Sequence, residues 1–268
     1  MKSTRVEDLR VKIFADGADL ESIRQLAADR RIQGFTTNPT LMRAAGVRDY
    51  KTFALRVLDI VTDHPVSFEV FADDLPTMMM QAIEIASWGD NVYVKIPVTT
   101  TAGEFAGPII ASLSKAGVKL NVTAVMTLDQ VGHVTDALSP LTPAIVSVFA
   151  GRIADTGVDP VPHMRQALEI VANCPGVELL WASPRELLNI FQADEIGCHI
   201  ITVTPDLLRK LTLVGKDLDT YSLETVQMFY RDASAAGYSI DPGGTAMPLA
   251  NIPDIDRTWG SNLRDPRR

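Results

Sequence analysis

The chain has 268 residues, 46% of them hydrophobic and 22% charged, enough to build a sizeable core in one large α/β domain or two smaller ones. Its formal net charge of -8 argues against general nucleic-acid binding, which favours a basic face, while leaving room for a local basic pocket. The two cysteines, Cys174 and Cys198, are too few for a disulfide framework and suit a reducing, cytoplasmic setting.

From the N-terminus, strand-like and helix-like segments alternate. Strand-like runs fall near 11–16, 33–37, 65–71, 91–96, 118–123, 144–149, 177–182 and 198–203. Helical patterns lie between and after them, near 19–30, 48–62, 75–87, 101–116, 127–138, 160–173, 184–193 and 205–212. This alternation predicts a (β/α)8 TIM barrel over residues 1–215, with a doubly wound open sheet as the alternative. The alternation then stops. Residues 216–268 read as a C-terminal helix, with apolar spacing from Tyr221 to Ala235, followed by a tail rich in proline, arginine and aspartate.

The N-terminal residues carry no apolar h-region, and no apolar run is long enough to cross a bilayer, so no membrane partner is expected. His64, His133, His163 and His199 are scattered without metal-ligand spacing, so no metal site is expected. A P-loop and the Rossmann glycine fingerprint are also absent. Cys174 and Cys198 read as inert thiols, and Met78-Met79-Met80 as helix and core packing.

The fourth strand, Val92-Tyr93-Val94-Lys95-Ile96-Pro97, holds one lysine among strand formers. Such a lysine either snorkels to solvent or, held among apolar walls, gives up its proton and becomes a nucleophile able to form a Schiff base. Its neighbours decide. Barrel sites sit at the C-terminal strand ends, and residues two apart share a face. Strand 1 ends in Asp16; strand 2 pairs Thr36 with Asn38; strand 3 pairs Ser67 with Glu69; strand 4 pairs Tyr93 with Lys95. Strand 5 pairs Asn121 with Thr123; strand 6 gives Ser147 and Phe149, then Arg152; strand 7 is followed by Ser183 and Arg185. Taken singly, each has an ordinary structural reading. Together they converge on Lys95, and burying so many polar groups without a purpose is costly.

These residues resemble the transaldolase family. The motifs are Phe14-Ala15-Asp16, Thr36-Thr37-Asn38-Pro39-Thr40, Val94-Lys95-Ile96, Asn121-Val122-Thr123, Ser147-Val148-Phe149-Ala150-Gly151-Arg152-Ile153 and Ala182-Ser183-x-Arg185. The resemblance implies a class I, Schiff-base enzyme on a (β/α)8 barrel that needs no cofactor or metal. It assigns the Schiff base to Lys95, imine-step proton transfer to Glu69 with a water oriented by Thr123, and deprotonation of a substrate hydroxyl to Asp16. It places Thr36, Asn38, Ser67, Asn121, Ser147 and Phe149 around the substrate, and Arg152, Ser183 and Arg185 around its phosphate.

The implied partners are small sugar phosphates and further copies of the chain. The same family holds fructose-6-phosphate aldolases, which typically have glutamine and tyrosine where this chain has Glu69 and Phe149. Those two residues therefore favour transfer over cleavage. Val148 stands where many transaldolases have proline, and Lys95-Ile96-Pro97 is closer to the short aldolase-like branch. A barrel that only binds sugar phosphates is disfavoured, because Lys95, Asp16 and Glu69 are all present.

Overall fold

The computed structural model describes residues 5–240. Eight parallel strands pair in chain order and close on themselves. They are β1 Lys12–Asp16, β2 Ile32–Thr36, β3 Val66–Glu69, β4 Val92–Pro97, β5 Leu120–Val125, β6 Ala144–Val148, β7 Val177–Trp181 and β8 Ile200–Val203. The structure is thus the expected (β/α)8 barrel and not an open sheet: β8 pairs back onto β1, with Phe14 opposite Thr202. The helices are α1 Leu20–Ala27, α2 Pro39–Ala44, α3 Tyr50–Ile60, α4 Leu75–Ala86, α5 Gly107–Lys115, α6 Leu128–Ala137, α7 Ala150–Asp155, α8 Pro160–Val171, α9 Leu188–Glu195, α10 Pro205–Arg209 and α11 Leu218–Ala235.

Helix starts follow local chemistry. The carboxylates of Asp19, Asp49, Asp74 and Asp159 accept backbone N–H groups at the starts of α1, α3, α4 and α8. Thr127 and Gln130 close a reciprocal capping box on α6.

Strand parity divides the core in two. Outward residues such as Phe35, Phe68, Val94, Ile96, Val122, Val146 and Trp181 join the helix layer in one continuous buried cluster. Inward residues Phe14, Ile145, Leu180, Ala182 and Ile200 form a second cluster that fills the bore, with Tyr93 and Phe149 against it. Gly34 is required here: a Cβ at that position would lie 2.5 Å from the Phe14 ring. Tyr93 sits one layer below Lys95, as expected.

Four local features differ from the sequence expectation. A short helix, α2, precedes α3, because Asn38 caps it and Pro39 starts it. The helix expected from 101 begins only at Gly107, since the β-branched run Thr99-Thr100-Thr101 turns into a bridge between Thr99 and Phe105. The helix expected from 184 begins at Leu188; upstream, Asn189 Oδ1 accepts the N–H groups of Arg185 and Glu186. Of the methionine run, Met78 is core, but Met80 is 63% exposed, because three consecutive helix positions cannot share one face. Both cysteines are buried, and burial pushes their thiols up, Cys198 to about 12.

The chain divides into two compact units, the first ending at Gly215 and the second beginning at Lys216. In the second, Asp217 caps α11 through the N–H of Thr220, and Lys216 pairs with Glu224. Leu223, Val226, Phe229 and Tyr230 on this helix are exposed. The tail after residue 240 lies outside the described residues. No described helix is long and apolar enough to cross a membrane.

Candidate active site

The last inward position of most strands opens into a cavity of about 410 Å³ at the C-terminal mouth of the barrel. That size suits a small metabolite. Lys95 stands at its wall, 7% exposed. Its Nζ donates to the carbonyl of Thr37 at 2.8 Å and pairs with Glu69 Oε2 at 3.2 Å. The pairing is built into the sheet, because Glu69 and Lys95 are direct partners across β3 and β4.

Glu69 is held from behind. The Tyr50 hydroxyl donates to the Glu69 carbonyl at 3.0 Å and accepts its N–H at 2.7 Å, finishing the backbone pairing where β3 ends. Tyr50 is fixed by edge and tilted contacts with Phe68, Phe71 and Trp88. Burial raises its pKa well above that of a free phenol, so it remains a neutral hydroxyl. The sequence reading missed Tyr50, since it comes from a helix 19 residues before Glu69 and carries no strand-end signal.

Across the cavity, Asp16 Oδ1 accepts from the Thr36 hydroxyl at 2.8 Å and Oδ2 from Asn38 Nδ2 at 3.4 Å. Burial raises the Asp16 pKa above the ordinary carboxylate value; the charge of Lys95 and these two donors oppose the rise, and Glu69 adds to it. Behind Thr36 lies Thr202 of β8, with the two Oγ1 atoms 2.5 Å apart. Thr202 also lines the cavity and was missed, although it stands two residues after the bore residue Ile200.

Thr123 and Ser147 line the cavity as expected. The Thr123 hydroxyl is buried without a hydrogen-bond partner among the described residues, a donor and acceptor left over for something bound in the cavity. Ser67 and Asn121 do not reach the cavity wall. They are fully buried one layer down, where Asn121 Nδ2 donates to Ser67 Oγ at 3.0 Å and Asn121 Oδ1 accepts from Ser147 Oγ at 2.6 Å. Their parity is the expected one; from this layer Ser67 supports Asn121, and Asn121 in turn holds Ser147.

On the β6 and β7 side, Phe149 follows the strand end and precedes α7; its ring faces the cavity and carries the Arg152 guanidinium 5.6 Å from its centroid. Arg152 and Ser183 line the cavity. Arg185 does not: its guanidinium makes two bonds to the Asp155 carboxylate, Nε to Oδ1 at 2.9 Å and Nη2 to Oδ2. Gly151 allows the two loops to meet, because a Cβ there would lie 1.5 Å from the Ser183 carbonyl oxygen. Among the described residues, the two non-glycine positions with positive φ are Ala124 at 61° and Ser183 at 56°, and both are on the cavity wall. Backbone strain of this kind concentrates at functional sites. No group of His, Cys, Asp and Glu that could hold a metal occurs among the described residues.

The assembled wall can supply one buried amine, one carboxylate beside it and one across the cavity, hydroxyl and amide groups between, and a local cationic rim. Residues 13–247 match the model of the transaldolase/fructose-6-phosphate aldolase family. A "probable transaldolase" of Dehalococcoides mccartyi is 35% identical over 204 residues, covering 75% of this chain and 90% of that protein. One of Streptococcus equi subsp. zooepidemicus is 33% identical over 205 residues, with the same coverage. Among solved structures, 2,3-dimethylmalate lyase superposes with a TM-score of 0.52 at 15% identity, covering 90% of this chain and 89% of that one, a likeness of fold alone. The chain belongs to the transaldolase/fructose-6-phosphate aldolase family.

Proposed function

We propose that the protein is a transaldolase-type transferase that moves a dihydroxyacetone unit from a ketose phosphate to an aldose phosphate through a Schiff base on Lys95. The observation that carries this reading is the buried Lys95 amine, 3.2 Å from Glu69, facing Asp16 across a cavity with a cationic rim.

The neutral Lys95 amine attacks the C2 carbonyl. Glu69, 3.2 Å from the amine, is placed to accept the proton that the amine must lose before it can attack. Glu69, through a water held by the unpartnered Thr123 hydroxyl, protonates the leaving hydroxyl of the carbinolamine, which departs as water and leaves a protonated imine. Asp16 then takes the proton of the C4 hydroxyl. Its raised pKa suits a base that must hold a proton and later return it.

The C3–C4 electron pair moves to C3 and onward to the imine nitrogen, an aldose phosphate leaves, and an enamine remains on Lys95. An acceptor aldehyde adds at C3, Asp16 returns its proton to the new hydroxyl, and water releases the product ketose. Asn38 and Ser147 hold the hydroxyls of the retained unit. Arg152 with Ser183 meets the phosphate, with Arg185 joining from its ion pair with Asp155. Phe149 has no hydroxyl with which to protonate the enamine, which favours transfer over release. The setting we propose is cytoplasmic, with small sugar phosphates as partners and a homo-oligomeric assembly.

The test is incubation with a ketose phosphate, borohydride reduction and mass measurement. A three-carbon adduct on Lys95 is expected. Release of free dihydroxyacetone as fast without an acceptor aldehyde as transfer with one would replace this reading by the aldolase one.

A further inference from the structure

We propose that Thr202 is a positioning residue for the reaction: it donates a hydrogen bond to Thr36 and thereby keeps the Thr36 hydroxyl aimed at Asp16. This rests on the reading of Asp16 as the base given above. The direction of the chain follows from valence. An ionised carboxylate only accepts, so the Thr36 hydroxyl hydrogen lies toward Asp16 Oδ1, 2.8 Å away. The Thr36 oxygen can then only accept from Thr202, 2.5 Å away.

The three groups come from β8, β2 and β1, which are adjacent around the closed barrel, so the chain is anchored in the sheet. Thr36 is 3% exposed and Thr202 7%, so water competes little for either hydroxyl. Hydrogen bonds in series strengthen one another in a low-dielectric site. Thr202 also prevents the Thr36 hydroxyl from rotating away once Asp16 has taken up a proton. No proton passes along this chain; its function is to fix the rotor and to favour the ionised carboxylate.

Other groups facing Asp16 are Asn38 on the β2 side, Glu69 on β3 and Lys95 on β4. None of them contacts Thr202 through a hydrogen bond, so changing Thr202 leaves their charges in place. Thr202→Val keeps the shape and removes the donor. The expected result is a drop in kcat for transfer of about 3- to 10-fold with KM little changed. The acid limb of the pH profile should move up by a fraction of a unit to about one unit, because the carboxylate loses part of its support.

Thr202→Ser restores the donor and should return both values to within about twofold. Borohydride trapping at Lys95 should be unaffected, since imine formation precedes the Asp16 step. An unmoved acid limb in Thr202→Val, or a Thr202→Ser variant as impaired as Thr202→Val, overturns the proposal. Should Thr202→Val not fold, Thr202→Ala is measured the same way with the same criteria. Loss of trapping in the unsubstituted protein would instead remove the Schiff-base reading, and this proposal with it.

Discussion

The two sides of the barrel mouth are built differently. On the β8–β1–β2 side, Thr202, Thr36 and Asp16 form a buried chain whose geometry is set by strand pairing. On the β6–β7 side, Arg152 lies over the Phe149 ring and Arg185 pairs with Asp155; the Arg185 and Asp155 side chains are 48% and 52% exposed. The first arrangement costs much to disturb, since a buried polar group that loses its partner is destabilised by about 1–3 kcal/mol. The second is readily rearranged, because an exposed pair contributes only about 0–1 kcal/mol. A phosphate on an arginine contributes about 1.5–3 kcal/mol. An arriving anion can therefore draw Arg185 away from Asp155. On the proposed reaction, the proton-handling side would be in place before substrate arrives and the anion-handling side would be completed by the substrate.

The largest effect should come from Lys95→Met. Removing the only amine at the cavity wall among the described residues should abolish transfer, a loss of more than about a thousandfold, and with it borohydride labelling. Measurable turnover by a trapped adduct elsewhere would overturn the role of Lys95.

Asp16→Asn comes next, at about 10²- to 10⁴-fold in kcat, the range of a general base. Trapping at Lys95 should survive, separating this step from imine formation. In the unsubstituted protein the pH profile has a defined sign. The working form is the ionised carboxylate, and burial raises its pKa. Activity should then fall as pH drops through a value above that of an ordinary aspartate, 3.8. A profile flat down to pH 4 would mean that Asp16 is not the base.

The contrast between the two sides also explains what was legible in the sequence. Asp16, Thr36, Glu69, Lys95, Thr123 and Ser147 could be placed because a period of two fixes which side chains face the bore. That rule gives direction but not depth. Ser67 and Asn121 have the right parity and lie one layer below the wall. Thr202 obeyed the rule too, but its strand, Ile200-Ile201-Thr202-Val203, shows one hydroxyl in an apolar run and no terminal charge. Tyr50 could not be found by strand parity at all, because a helix delivers it from outside the barrel. The ion pair of Arg185 was not legible for a different reason: a flexible side chain goes to a nearby counter-ion, and nothing in a linear pattern says that Asp155 is opposite.

Replacing the arginines should sharpen the comparison between the sides. Arg152→Ala removes the cation already on the cavity wall and should raise KM for a phosphorylated donor by about tenfold or more. Arg185→Ala should cost less, about two- to fivefold, because part of the binding energy of Arg185 is spent in leaving Asp155. Neither change should matter for a non-phosphorylated analogue. The order of the two effects is the point at issue: a larger loss for Arg185→Ala would mean that Arg185 is the principal phosphate ligand despite its ion pair.

The smallest effect expected is from Asp155→Asn, and its sign is informative. If Asp155 only holds Arg185 in reserve, removing its charge frees the guanidinium and leaves one negative charge fewer near the incoming phosphate. Both consequences lower KM for phosphorylated substrates. The gain cannot exceed the strength of an exposed pair, so about two- to fivefold is the ceiling. Salt should erase it, since exposed charges are screened within about 8 Å at physiological ionic strength. The alternative is that Asp155 holds Arg185 in the orientation that phosphate needs. Then Asp155→Asn would raise KM, and the effect would persist in salt because it would come from lost geometry rather than lost charge. Measuring KM for one phosphorylated donor at low and high salt, in both proteins, separates the two: a lower KM that salt abolishes makes Asp155 a competitor of the phosphate, and a higher KM that salt leaves intact makes it part of the clamp.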